Sequence, residues 1–318
     1  MSTDTHLAPP APTRPGGQTR RRGARHLWHQ LAADRWAAAG AGGVALFLIV
    51  AAAAPALCAL AGQDPYTYDL DALSDSGAPK GFGGGISGEH WFGVEPMTGR
   101  DLFAIVVHGA RTSILVGAGA TAASLLLGVA VGLTAGFYGG WYDRVVTRII
   151  DVLLGFPYLI FVIALGAIAP TSLPKPLLLV GVLAIFGWPS IARVVRSQTL
   201  ALKQRTFVVA SVALGAGGWN LLVRQLLPNL TATIIVYATI TIPSMIGAEA
   251  ALSFLGVGVP PPTPAWGRSI GDAIGWVQTD PMFLVFPGGA LFFATLAFNL
   301  LGDGLRDAFD PKTRGVRR

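Results

Sequence analysis

The stretch SILVGAGATAASLLLGVAVGLTAGFY, from Ser113 to Tyr138, runs 26 residues without a charge. A helix needs about 20 apolar residues to cross the roughly 30 Å hydrocarbon core of a bilayer, so this stretch reads as a transmembrane helix. Ala120, Ser124, Gly128, Gly132, Gly136 and Gly140 recur at every fourth position, which at helical spacing places them along one face. Small residues let a second helix approach closely where lipid supplies no hydrophobic drive between helices. Two partners fit the stripe equally well: another helix of this chain, or a second subunit.

Working outward, five more segments have the length and character of crossings: Ala37 to Ala61, Ile149 to Ala169, Leu177 to Ala192, Thr231 to Leu255 and Phe283 to Leu301. The composition agrees. Of the 318 residues, 52% are hydrophobic and 13% charged, where soluble domains carry about 25% charged residues; that is too little polar material for a water-facing surface. The fold class expected is an all-α membrane protein with six transmembrane helices.

Lys and Arg then set the orientation, because short cytoplasmic loops hold an excess of both. With the N-terminus inside, 18 of the 23 fall on the cytoplasmic side, and only Lys80, Arg100, Arg111, Lys175 and Arg268 fall outside. Asp64, Asp69, Asp71, Asp75, Glu89, Glu95 and Asp101 all lie in the first external loop. Both termini are therefore expected in the cytoplasm of a cell inner or plasma membrane. The net charge of +6 reads as a topology signal and calls for no nucleic acid partner.

Residues 1–36 are read as a cytoplasmic tail, rich in Pro, Gly, Thr and Arg, unable to bury apolar area and expected to be mostly disordered. Its Arg20 to Arg25 can meet anionic lipid headgroups. The apolar run 37–61 is longer than the 7–15 residues of a signal-peptide core, and reads as a retained first helix. Residues 62–112 form an external loop, glycine-rich from Gly81 to Gly88, with a short surface helix at Leu102 to Val107. Residues 113–302 hold five helices and a cytoplasmic segment, 193–230, long enough for helices of its own; 303–318 form a cytoplasmic tail.

Catalytic and metal motifs fail on their own chemistry. A phosphate-binding P-loop needs Gly-Lys-Ser/Thr, and the four lysines follow Pro79, Pro174, Leu202 and Pro311. Gly267-Arg268-Ser269-Ile270-Gly271 has the spacing of a hydrolase nucleophile elbow, yet that fold needs a histidine after the serine, and the last histidine is His108. His26 and His29 have no cysteine or carboxylate cluster nearby to complete a metal site. Cys58, the single cysteine, reads as a small packing residue. Glu249 alone among the acidic residues falls well inside a membrane segment. A carboxylate there is costly unless it faces water or a partner, which marks it for the translocation pathway or gating, or for a hydrogen-bonded structural role. A proton-driven carrier would need several such groups in relay.

The segment from Phe207-Val208-Val209-Ala210-Ser211-Val212-Ala213-Leu214-Gly215-Ala216 to Arg224-Gln225-Leu226-Leu227-Pro228-Asn229 reads as helix, turn, helix. Ala210 to Leu214 favour helix, Gly215 can end it in a left-handed cap, and Pro228 permits a fresh start. This pattern resembles the EAA loop of binding-protein-dependent ABC importer permeases. Further matches are Ala248-Glu249-Ala250-Ala251-Leu252-Ser253-Phe254-Leu255-Gly256, Pro261 to Gly267, and Asn299-Leu300-Leu301-Gly302-Asp303-Gly304-Leu305-Arg306-Asp307 with Asp310-Pro311. Thr98-Gly99-Arg100-Asp101, Gly109-Ala110-Arg111, Gly139-Gly140-Trp141 and Phe156-Pro157 add to them. Together, over about residues 88–312, they resemble the C-type permease of the dipeptide, oligopeptide and nickel importer group.

The resemblance implies a type I ABC importer permease fold, with no catalytic residue, metal or cofactor of its own. It implies ATPase contact through a short coupling helix involving Ala210, Ser211, Leu214, Gly215, Ala216, Leu227 and Pro228. It also implies a second homologous permease subunit, one or two ATPase subunits and an external substrate-binding protein, with peptides or nickel as cargo. Two positions depart from the family pattern: Val209 stands where the motif glutamate belongs, and Ser211 replaces an alanine.

Overall fold

The computed structural model describes residues 34–168 and 174–309. The tail arginines Arg14 to Arg25, His26, His29 and the basic residues after Phe309 lie outside that range. Among the described residues the chain is helical with no strand; two isolated bridges, Leu73 with Pro79 and Val94 with Asp101, pin the segment before the second helix.

The helices are α1 (Arg35–Ala61), α2 (Leu102–Tyr138), α3 (Gly140–Gly155), α4 (Tyr158–Ile168), α5 (Lys175–Lys203), α6 (Thr206–Ala213), α7 (Leu227–Phe254), α8 (Trp266–Ala273) and α9 (Met282–Phe309). Five apolar helical stretches are long enough to cross a membrane alone, and α3 with α4 forms a sixth, bent by 80°. Asp34 caps α1 by accepting from the N–H groups of Trp36 and Ala37, and Asp101 caps α2 by accepting from Ala104 N–H at 2.7 Å. Both carboxylates satisfy donors that the first turn of a helix leaves open.

The stripe of small residues faces α5. A Cβ on Gly128 would press on Ile191 and the Trp188 carbonyl, one on Gly132 on Ala192 and Val195, and one on Gly136 on Thr199. Contacts advance along both helices in the same direction, so α2 and α5 run parallel. The chain between them must return across the bundle, and only the bent pair α3–α4 is there to do it. Six crossings follow. Gly140 does not belong to this face, contrary to the sequence spacing: it lies past the end of α2 at φ +64°, with nothing near its Cβ direction. Gly139 and Gly140, both left-handed, turn the chain into α3.

Four expected boundaries shift, the simplest being the last crossing, expected to end at Leu301 with a tail from residue 303, which runs on as helix to Phe309. The short surface helix at Leu102 to Val107 is the first part of α2 itself. At about 1.5 Å per residue, the 37 residues of α2 reach about 55 Å and overshoot the bilayer core. Gly109 does not break it but makes room for the Trp266 indole, whose Nε1 donates to the Val106 carbonyl at 2.9 Å. The third crossing, expected as one helix from Ile149, is broken at Phe156-Pro157, because the residue before a proline is driven to extended backbone; Phe156 sits at φ −86°, ψ 134°. The part expected near Ala169 lies outside the described residues. The fourth crossing continues past Ala192 to Lys203, its extra turns held by Arg196, bidentate to Asp143 of α3.

Two ends of the bundle result. The loop end carries residues 62–101, the turn after α7, and α8. Here Arg100 Nε donates to Glu95 at 2.7 Å and Nη1 to the Pro262 carbonyl at 3.0 Å, while His90 Nδ1 lies 2.9 Å from Asp101. The cap end carries α6 and the start of α7. There Lys203 Nζ donates to the Phe137 carbonyl at 2.6 Å, supplying a donor to the open C-terminal end of α2.

Candidate functional site at the cap end

Helix α6 ends in a left-handed glycine cap. Gly215 stands at φ +82°, its N–H donates to the Val212 carbonyl, and Ala216 N–H donates to the Ser211 carbonyl. Those two bonds, six-to-one and five-to-two, are the Schellman pattern that closes a helix on carbonyls it would otherwise leave open. Only Val208 of α6 is buried. It enters a cluster with Leu221, Leu222, Leu226 and Leu230, which also takes in Leu133 of α2 and Ile191 and Val195 of α5. The short helix is thus rooted in the same two helices that the glycine stripe locks together.

The second helix of the segment does not start afresh at Pro228. Helical backbone begins at Gly218 and passes through a π-type stretch, Leu221–Leu226, directly into α7. Pro228 lacks an N–H for the preceding turn, and Leu227 N–H reaches back five residues to the Leu222 carbonyl. The wide turn points Leu221, Leu222 and Leu226 inward together.

The seven residues tied to ATPase contact fall into two sets. Ala210, Leu214, Gly215 and Pro228 are exposed. Ser211, Ala216 and Leu227 face inward at least in part: Ala216 and Leu227 pack on the Val208 cluster, and Ser211 Oγ accepts from Gln225 Nε2 at 2.8 Å while donating to the Phe207 carbonyl. Sequence reasoning passed over Val212 and Trp219, both more than half exposed, and Gln225, which staples α6 to the π stretch. The available signal was the absence of charge from Thr206 to Val223.

Glu249 lies near the other end, five residues before α7 stops at Phe254. It is fully buried and lines no open cavity within this subunit. Its Oε1 accepts from Ser253 Oγ at 2.7 Å, and Ser253 Oγ accepts in turn from Val259 N–H at 3.2 Å. Ser113 of α2 faces the same carboxyl group. A side chain at Gly258 would overlap Ser253, so the turn after α7 closes tightly over this knot. Among the described residues no group of three or more His, Cys, Asp or Glu is placed to hold a metal ion.

Six crossings, with a helix–turn–helix hung from one end, make this a multi-pass membrane protein. The chain belongs to the family of binding-protein-dependent transport system inner membrane components, which matches residues 128–315. It is 37% identical over 290 residues to the glutathione transport system permease protein GsiD of Pectobacterium atrosepticum, covering 91% of each chain. It is 41% identical over 230 residues to the dipeptide transport system permease protein DppC of Alkalihalophilus pseudofirmus, covering 72% of this chain and 74% of that one. A GsiD of Escherichia coli is 40% identical over 248 residues, 78% of both chains. The protein is accordingly a permease subunit with the type I importer fold, a transport component and not an enzyme, whose family works with an ATPase and a substrate-binding protein.

Proposed function

We propose that this chain forms half of the translocation pore of an ABC importer for di- or oligopeptides, paired with a second, homologous permease subunit. The peptide cargo is drawn from the similarity to dipeptide and glutathione permeases. The distribution of Lys and Arg supports placing the cap end, and both chain termini, in the cytoplasm. One or two ATPase subunits then meet α6 from below, and the external binding protein delivers substrate at the loop end. Closure of the ATPases pushes α6; Val208 and the leucines beneath it pass the displacement to the locked pair α2–α5. Glu249 serves as a gate support, holding the turn after α7 against α2, and does not itself touch the cargo.

The observation that carries this reading is the rigid rooting of α6 in α2 and α5. Gly215→Pro tests it. Proline fixes φ near −65°, where Gly215 stands at +82°. Insertion and assembly with the partner subunit should persist, while peptide-stimulated ATP hydrolysis and uptake fall by about 5-fold or more, the lower range of an allosteric coupling. Uptake at the normal rate would remove α6 from the coupling path.

A further inference from the structure

The charge content of the cap end says what kind of surface receives it. From Thr206 to Val223 no residue is charged, and Arg205 and Arg224 bound the run. Within it Leu214 is 88% exposed, Trp219 77%, and Val209 and Val212 56% each. Large apolar side chains exposed along so short a stretch mark a contact surface. On the reading that α6 is the ATPase-docking element, we infer that the receiving groove is apolar, with an acidic rim opposite Arg205 and Arg224, and that coupling in this transporter uses no ion pair at Val209.

Three features support that assignment. First, Val209 occupies the place of a carboxylate in the resembling motif, so a basic group retained opposite it would be buried without a partner, at heavy desolvation cost. Second, the segment is already stiff: the Schellman cap, the Ser211–Gln225 bond and the Val208 cluster fix it before any partner arrives. Little ordering is then lost on docking, which lets an apolar contact of modest size suffice. Third, the guanidinium groups at the margins are exposed and supply orientation, since rim charges act mainly on encounter and register.

The test uses the full transporter with its ATPase subunits, purified in lipid nanodiscs, and reads ATPase retained per permease. Between about 0.1 and about 1 M NaCl the Debye length falls from about 10 to about 3 Å. Retention by the unaltered chain should change less than about two-fold over that range, the behaviour of a contact made by apolar side chains. Leu214→Asp and Trp219→Asp should each lower it by about ten-fold or more, as loss of a buried anchor does; Val209→Glu should weaken it and confer salt sensitivity. Retention that collapses with salt would show that ion pairs at Arg205 and Arg224 carry the contact, and tighter binding by Val209→Glu would show a basic groove; either result overturns the inference. Unchanged retention in both aspartate variants would overturn it too, placing the patch against lipid or another surface. Co-purification of the second permease subunit reports an intact fold, and Trp219, exposed in the helical stretch Gly218–Asn220, carries the test should Leu214→Asp misfold. Cross-linking from Leu214→Cys separates the two levels. No cross-link to an ATPase that still co-purifies defeats the docking assignment itself, whereas a cross-link with salt-labile retention defeats only the apolar groove.

Discussion

The two ends of the bundle solve opposite problems with opposite chemistry. At the loop end, polar groups are buried and paired across distant elements: Arg100 reaches Glu95 and the Pro262 carbonyl, Asp101 meets His90, and Glu249 ties α7 to the turn at Val259. At the cap end, the exposed helix carries no charge at all, and its polar contacts are local, between Ser211, Phe207 and Gln225. Buried pairs fix geometry, because a missing partner leaves a group uncompensated in a medium that cannot solvate it. An exposed apolar surface fixes nothing until something covers it. Both ends are therefore pinned across the fold, the cap end by Arg196 on Asp143 and Lys203 on the Phe137 carbonyl, but only the cap end leaves an uncharged helix with its apolar side chains uncovered.

The largest expected break in this contrast comes from Arg100→Ala. Arg100 and Glu95 are each about nine-tenths buried at the side chain or more, and removing one member of a buried pair costs about 3–5 kcal/mol. Thermal unfolding of the detergent-purified subunit should move down accordingly, with proteolysis appearing first within residues 62–101. A shift no larger than that of a surface substitution would mean that the loop end is held by something other than its ion pairs. Glu249→Ala comes next. It removes the acceptor of Ser253 Oγ, at about 1–3 kcal/mol for a buried group left unsatisfied. Glu249→Gln, which keeps an acceptor for Ser253, should recover most of the loss. Equal damage from both variants would show that the charge of Glu249 matters, and would return it to the conduction path.

Much of this was legible in the sequence, for identifiable reasons. Apolar length located the crossings, since the bilayer imposes one requirement on all of them, and glycine at every fourth position marked a close-packing face of α2 without saying which helix would meet it. Gly215 announced its own left-handed cap. The misreadings have equally local causes. Val107 and Ser113 looked like separate ends because His108, Gly109 and Arg111 interrupt the hydropathy, yet none of them breaks a helix that Trp266 packs against. Phe156-Pro157 did signal a break, but an apolar run on either side outweighed it. Gly140 kept the period and lost the face, because Gly139 had already turned the chain. What the sequence could not reveal was pairing at a distance: the bond from Arg100 to Pro262 spans 162 residues, and nothing in composition or period connects them.

The smallest effect sharpens the comparison most directly, because it asks whether the two ends respond differently to protons. Asp280 lies in the turn before α9, outside the spans, with its carboxyl against Gly84, where a side chain would collide with it. Burial pushes this carboxyl above the usual range, while backbone N–H groups of Phe283 and Met282 pull it partly back. An acid whose folded pKa is raised costs stability when ionised, so its contribution improves as pH falls through that pKa and worsens as pH rises. Asp280→Asn keeps the size of the side chain and removes the charge. The variant should melt higher than the unaltered chain near neutral pH, by no more than about 4 °C for a chain of this size, and the difference should shrink on acidification as the native carboxyl takes up its proton. A difference that stays constant with pH would mean that Asp280 is neutral throughout, or solvated. Over the same range ATPase retention through α6 should hold steady on this subunit's side, because nothing between Thr206 and Val223 can titrate; a parallel pH dependence at both ends would show that the loop end and the cap end are not independent.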